Sequence, residues 1–131
     1  MSKPSLIVVD DEPDMANFVR DVVEMAGFDG RMATSAREFQ EICAQARPDA
    51  VVMDLVMPDM GGNELFQWLA EWDGDIPVIL ISGYEGKYIK TAENLGTARG
   101  ARVVDSLAKP LELDHLEADL NNLRDDLAVN D

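Results

Sequence analysis

Four short aliphatic runs constrain this chain more than any other feature: Leu6-Ile7-Val8-Val9, Ala50-Val51-Val52-Met53, Val78-Ile79-Leu80-Ile81, and Val103-Val104 extended by Leu107-Ala108. None alternates with polar residues, so each reads as a strand covered on both faces. Each is followed by polar or Gly/Pro punctuation and then by a segment of helical period. Met15, Phe18, Val19, Val22, Val23 and Met25 define the apolar side of a first helix that Gly27 stops. A weaker strand, Gly30 to Thr34, precedes Ser35, whose hydroxyl suits the N-cap of a helix with Phe39, Ile42, Cys43 and Ala46 on one side. Gly62 opens a third helix bearing Leu65, Phe66, Trp68, Leu69 and Trp72. A fourth is expected from Glu85 to Leu95, with Gly96 and Gly100 as weak points. Leu113, Leu116, Leu120, Leu123 and Leu127 form one narrow seam on the last.

Strict alternation of strand and helix implies a parallel sheet, and right-handed crossovers make it a flavodoxin-like (βα)5 doubly wound α/β fold. The 131 residues suit one domain over 1–131, with a core of about 4–128 and no separate output domain. In such sheets the ligand site lies beyond the carboxyl ends of the strands.

Charge narrows the partners. With 26 acidic residues against 11 basic, the net charge is −15, which argues against unaided binding to nucleic acid or anionic membrane and favours a cation or a basic partner. The lone Cys43 has no internal disulfide partner, the aliphatic runs are too short to cross a bilayer, and Met1 to Ser5 is no signal peptide. A cytoplasmic protein is expected.

The strand ends carry the chemistry. The first strand ends in Asp10-Asp11, the third in Asp54 and the fourth in Ser82-Gly83, while the fifth leads to Lys109-Pro110. Three carboxylates in one place repel one another unless a cation sits between them, and Mg²⁺, which takes oxygen ligands and keeps several waters, meets that need. Ser82 offers a neutral hydrogen bond, and Lys109 a point charge for phosphate oxygens. An Asp carboxylate held this way is a nucleophile for phosphorus.

Val9-Asp10-Asp11-Glu12, the run Asp54-Leu55-Val56-Met57-Pro58-Asp59-Met60-Gly61-Gly62, Ser82-Gly83 and Lys109-Pro110 occur in the order found in receiver domains of two-component response regulators. The chain resembles that family over nearly its whole length. The resemblance implies that Asp54 is the phosphoacceptor for a sensor histidine kinase or histidine phosphotransfer protein in a phosphorelay. It also implies Mg²⁺ (or Mn²⁺) held by Asp11, by Asp10 largely through water, by Asp54 and by the Val56 backbone carbonyl. Ser82, Gly83 and Lys109 would hold the phosphoryl group, and a cis Lys109-Pro110 bond would aim the lysine at Asp54. Such a module is no enzyme beyond its own phosphorylation and slow self-dephosphorylation, and its signal passes to an unidentified downstream protein.

Some positions depart from the family. Three residues before the lysine, where receivers usually carry an aromatic switch, stands Ser106, and the interval from Ser82 to Lys109 is longer than usual. Ser82-Gly83-Tyr84 together with Ala92 to Gly100 is similar to receivers found ahead of cyclic-di-GMP phosphodiesterase domains. Val56 and Tyr84 flank the path by which water reaches an acyl phosphate, and their bulk is expected to slow its hydrolysis. Lys87 to Lys109 holds five basic residues against Glu93 and Asp105, whereas Glu112 to Asp131 holds seven acidic residues against Arg124. That contrast suits a homodimer through the face of helix 4, strand 5 and helix 5; the plain reading is a solvated pair of helices.

Other readings stay open. A dehalogenase-like phosphatase needs an Asp where Val56 stands, and a nucleotide-binding module needs glycines where Asp10-Asp11-Glu12-Pro13 stands. A receiver fold working as an interaction module without phosphorylation is the main alternative, favoured by Ser106. Trp68 and Trp72 read as core and rim packing, Cys43 as a small buried hydrophobe, the methionines as core fillers, and His115 as an isolated exposed histidine.

Overall fold

A computed structural model describes residues 3–57, 61–83 and 99–129. Among them are five strands, β1 (Ser5–Val9), β2 (Asp29–Ala33), β3 (Ala50–Asp54), β4 (Pro77–Ser82) and β5 (Arg102–Ala108). Four helices accompany them, α1 (Pro13–Met25), α2 (Ala36–Gln45), α3 (Gly62–Asp73) and the C-terminal α4 (Leu113–Val129). The expected helix over Glu85 to Leu95, Gly96, Tyr84, and Pro58, Asp59 and Met60 of the Asp54 motif lie outside the described residues. No helix among the described residues is long and apolar enough to cross a membrane.

The sheet is parallel throughout, in the order β2-β1-β3-β4-β5. Side chains of the inner strands alternate between two cores. Leu6, Val8, Val52, Ile79 and Ile81 pack with Val19, Val23, Leu116, Leu120 and Leu123, so α1 and α4 cover one face. Ile7, Val9, Val51, Met53, Val78 and Leu80 pack with Phe39, Cys43, Leu65, Phe66 and Leu69, so α2 and α3 cover the other. This two-sided covering is why β1, β3 and β4 read as unbroken aliphatic runs.

Local signals explain the ends of the helices. Pro13 occupies the first turn of α1, and Gly27, at φ 98°, follows its last turn in the left-handed conformation that glycine adopts without strain. Ser35 caps α2 by accepting a hydrogen bond from the Glu38 N–H at 3.1 Å.

Several expectations need correction. β5 is an edge strand, covered on both faces only in part, and Val104 is 40% exposed. Its register slips beside Val78, which pairs with Val103 while Ile79 pairs with Asp105, leaving Val104 as the extra residue of a bulge. The bulge reverses the alternation, so Val103 packs with the α2/α3 core and Leu107 with the α1/α4 core. β2 runs one residue earlier than expected and is exposed at alternate positions, as an edge permits. Phe18 and Met25 are exposed rather than core residues; Ala16 completes the buried stripe of α1 instead. Ala46 is exposed too, because its extended backbone already ends α2. Trp68 packs against the second core and stacks on the half-exposed Trp72, with ring centroids 5.4 Å apart.

Candidate phosphoryl site at the strand ends

Two neighbouring strands deliver the acidic residues, and a third places Ser82 beside them. Val9 pairs with Met53, which brings Asp10 at the end of β1 beside Asp54 at the end of β3, and Asp54 pairs with Ile81 of β4, one residue before Ser82. Asp10 and Asp54 are fully buried and Ser82 nearly so. Carboxylate oxygens of Asp10, Asp11 and Asp54 lie within 4.8 Å of one another.

Two of the three carboxylates are held by the turns that follow them. The Glu12 N–H donates to Asp10 Oδ1 at 3.0 Å, and the Val56 N–H donates to Asp54 Oδ1 at 2.9 Å. The second oxygen of Asp54 accepts from Lys109 Nζ at 3.0 Å. Lys109 follows β5, its side chain is only 11% exposed, and its peptide bond to Pro110 is cis.

The electrostatics show what the pocket lacks. Burial, with help from Asp54 and Asp11 and against the Glu12 N–H and Lys109, pushes the Asp10 carboxyl up to about 6. Burial works against the Lys109 ammonium, but the hydrogen bond and charge of Asp54 outweigh it and raise the lysine above its ordinary value. One lysine therefore faces three carboxylates. Asp10 Oδ2 is buried without a hydrogen-bond partner among the described residues, an arrangement that fits an additional cation with oxygen preference.

The remaining expected residues surround this centre. The Ser82 hydroxyl donates to the Gly83 carbonyl at 3.3 Å rather than to a carboxylate. Val56 is 58% exposed, and its Cγ2 would lie 3.5 Å from a Cβ added at Gly83, so it leans across towards the loop after β4. The Ser106 N–H donates to Asp105 Oδ1 at 2.8 Å.

Sequence reasoning misplaced one residue. His115 is exposed but not isolated: its Nε2 lies 2.8 Å from Asp105 Oδ2 and 3.7 Å from Asp119 Oδ2. The i,i+4 spacing of His115 and Asp119 signalled half of this group, but Asp105 joins it from another element.

A parallel sheet of this order, with two aspartates at adjacent strand ends and a lysine after the last strand, is the arrangement the sequence resemblance to receiver domains implies. The family described as response regulator receiver domain matches residues 6–121, and the chain belongs to that family. A response regulator from Colwellia psychrerythraea is 30% identical, with a TM-score of 0.83 over 95% of this chain and 99% of that one. Among curated relatives, Protein Rrf1 of Nitratidesulfovibrio vulgaris is 28% identical over 94 residues, 70% of this chain and 68% of that protein. Response regulator MprA of Mycolicibacterium vanbaalenii is 30% identical over 118 residues, 90% of this chain. The chain spans 49% of MprA and 24% of the DctD regulator of Pseudomonas aeruginosa, so those relatives are much longer.

Proposed function

We propose that Asp54 accepts a phosphoryl group from the phosphohistidine of a sensor histidine kinase or histidine phosphotransfer protein, within a cytoplasmic two-component pathway or phosphorelay. The observation that carries this reading is the buried Asp54 carboxylate paired with Lys109 at 3.0 Å, beside an Asp10 oxygen that has no hydrogen-bond partner among the described residues. Asp10, Asp11, Asp54 and the Val56 backbone carbonyl would hold Mg²⁺ or Mn²⁺. Such an ion, when bound, offsets charge on the phosphoryl oxygens.

The chain's own groups do the rest. The Val56 N–H fixes one carboxylate oxygen of Asp54, which limits the directions from which the carboxylate can attack. A carboxylate oxygen forms the bond to phosphorus as the bond from phosphorus to the donor imidazole nitrogen breaks, and the electron pair leaves with the imidazole. Lys109 then moves its hydrogen bond from Asp54 to a phosphoryl oxygen, and the Ser82 hydroxyl turns from the Gly83 carbonyl to another. Val56 shields the acyl phosphate from water and so slows self-dephosphorylation. Output to a protein target runs through the β5 and α4 face, with a homodimer across it as one form. The alternative of an interaction module without phosphorylation rests on Ser106, which lacks the ring that would report the change.

Beryllofluoride, a phosphoryl mimic, tests the pocket. With Mg²⁺, wild type is expected to give a bound ¹⁹F resonance, and Asp54→Asn or metal-free protein none. An Asp54→Asn spectrum equal to wild type would contradict the assignment.

A further inference from the structure

Asp105 reaches the C-terminal helix because of an irregularity in the edge strand. Val103 packs with the α2/α3 core, and strict alternation from it would turn Asp105 to the same face. The bulge at Val104 reverses that parity and turns Asp105 towards α4. There it meets His115 and Asp119, one turn apart on the helix. His115 Nε2 lies 2.8 Å from Asp105 Oδ2 and 3.7 Å from Asp119 Oδ2. We infer that Asp105 and Asp119 form a proton-operated clasp that fastens β5 to α4 at mildly acidic pH and releases it as pH rises.

The geometry itself calls for the proton. The Asp105 and Asp119 carboxyl groups share a side-chain hydrogen bond. An ionised carboxylate only accepts, so a hydrogen bond between two carboxyls exists only while one of them is protonated. His115 does not replace that proton at Asp119, because 3.7 Å is beyond hydrogen-bond reach. On Asp105, Oδ1 accepts the Ser106 N–H at 2.8 Å and Oδ2 faces His115. From the neighbouring strand, β4 sets the apolar Ile79 beside Asp105. Among the described residues, Asp105 from β5 and His115 and Asp119 from α4 are thus the ionisable groups that face one another across this junction.

Surroundings decide which carboxyl keeps the proton. The Asp119 side chain is 15% exposed and that of Asp105 32%, so the charge is better solvated on Asp105. Burial, then the hydrogen bond and charge of Asp105, push the Asp119 carboxyl up to about 6 against the influence of His115. Burial works to raise Asp105 too, but its bonds with Asp119, the Ser106 N–H and His115 hold it below its ordinary value. Because Asp119 is raised above 3.8, the stability it lends is complete below that value and is lost as pH rises through about 6. The lowered Asp105 loses its own contribution only as pH falls below 3.8, outside the range of the switch. β5 is paired on one side only, so its hold on α4 matters more than it would for an inner strand. If output runs through β5 and α4, as proposed above, the clasp makes it pH-dependent; that consequence rests on the proposed function, and the clasp itself does not.

Carboxyl ¹³C resonances followed through a pH titration test the clasp separately from phosphorylation when wild type and Asp54→Asn are compared. In both, Asp119 is expected to inflect near pH 6, and the ring resonances of His115, the one histidine of the chain, to move with it. An Asp119 inflection near the ordinary 3.8 in either protein overturns the inference. Asp105→Asn removes the facing charge and should lower the Asp119 inflection by at least about one pH unit; an unmoved inflection contradicts the pairing. Asp119→Asn keeps an amide donor towards Asp105 at every pH. Its Tm should therefore fall less than that of wild type between mildly acidic and mildly alkaline buffer. Asp10, also raised to about 6, contributes the same fall to both proteins, so equal falls would contradict the clasp. If Asp119→Asn does not fold, the titrations of wild type and Asp105→Asn decide.

Discussion

Asp54 and Lys109 are partners of unequal consequence. Removing the lysine leaves the buried carboxylates of Asp10 and Asp54 with no cation beside them among the described residues, whereas removing the Asp54 charge relieves repulsion with Asp10. In metal-free buffer at neutral pH, Lys109→Met is expected to lose about 3 kcal/mol, in keeping with a buried pair deprived of one member. Asp54→Asn should change stability by less than about 1 kcal/mol, or raise it. Urea denaturation of the two variants decides this, and an equal loss in both would show that the carboxylates do not repel. Cys43 gives a second residue-level test. It is 3% exposed, and burial pushes its thiol up to about 11 from an ordinary 9.0. Its folded pKa is raised, so the associated stability is complete below pH 9 and is lost as pH climbs towards 11. Alkylation at pH 8 should be far slower in the native protein than in denaturant, and similar rates would place the thiol at the surface. Asp10, Asp11, Asp54 and Lys109 were legible as a group because each closes or follows an aliphatic run. His115 was misread because its principal contact, Asp105, depends on where β5 lies against α4.

At the scale of elements, periodicity succeeded where both neighbours are fixed by the sheet and failed at edges. The seam of α4 behaves as its spacing suggests: Leu116, Leu120 and Leu123 are buried, while Leu113 at its start is 42% exposed. Leu120→Ala should therefore cost about 3 kcal/mol, the usual loss for a leucine removed from a packed core. Leu113→Ala should stay within about 0.5 kcal/mol. Chemical denaturation of both checks the difference, and comparable losses would mean that α4 docks by another face. Phe18 and Met25 fit a helical period yet face outward, since the buried stripe of α1 is filled by Ala16, Val19, Val22 and Val23. The bulge at Val104 escaped the sequence because an extra residue in a strand changes parity without changing composition. It carries Leu107 to the α1/α4 core, and with it the start of the path to Lys109.

Across the whole molecule, the strand order β2-β1-β3-β4-β5 sets the ends of β1, β3 and β4 side by side, and this adjacency turns scattered aspartates into one pocket. Alternation of strand and helix made the fold legible; the excess acid made a cation plausible without saying where it binds. Among the described residues the structure gathers five of the 26 acidic side chains into two clusters, an all-oxygen one at the strand ends and an Asp-His-Asp one at the edge. The central claim, that the first of these serves phosphorylation of Asp54, is tested most directly by mass. Wild type incubated with acetyl phosphate and Mg²⁺ should gain one phosphoryl group by intact mass spectrometry, and should gain none after chelation or in Asp54→Asn. No added mass in wild type, or the same added mass in Asp54→Asn, would contradict it.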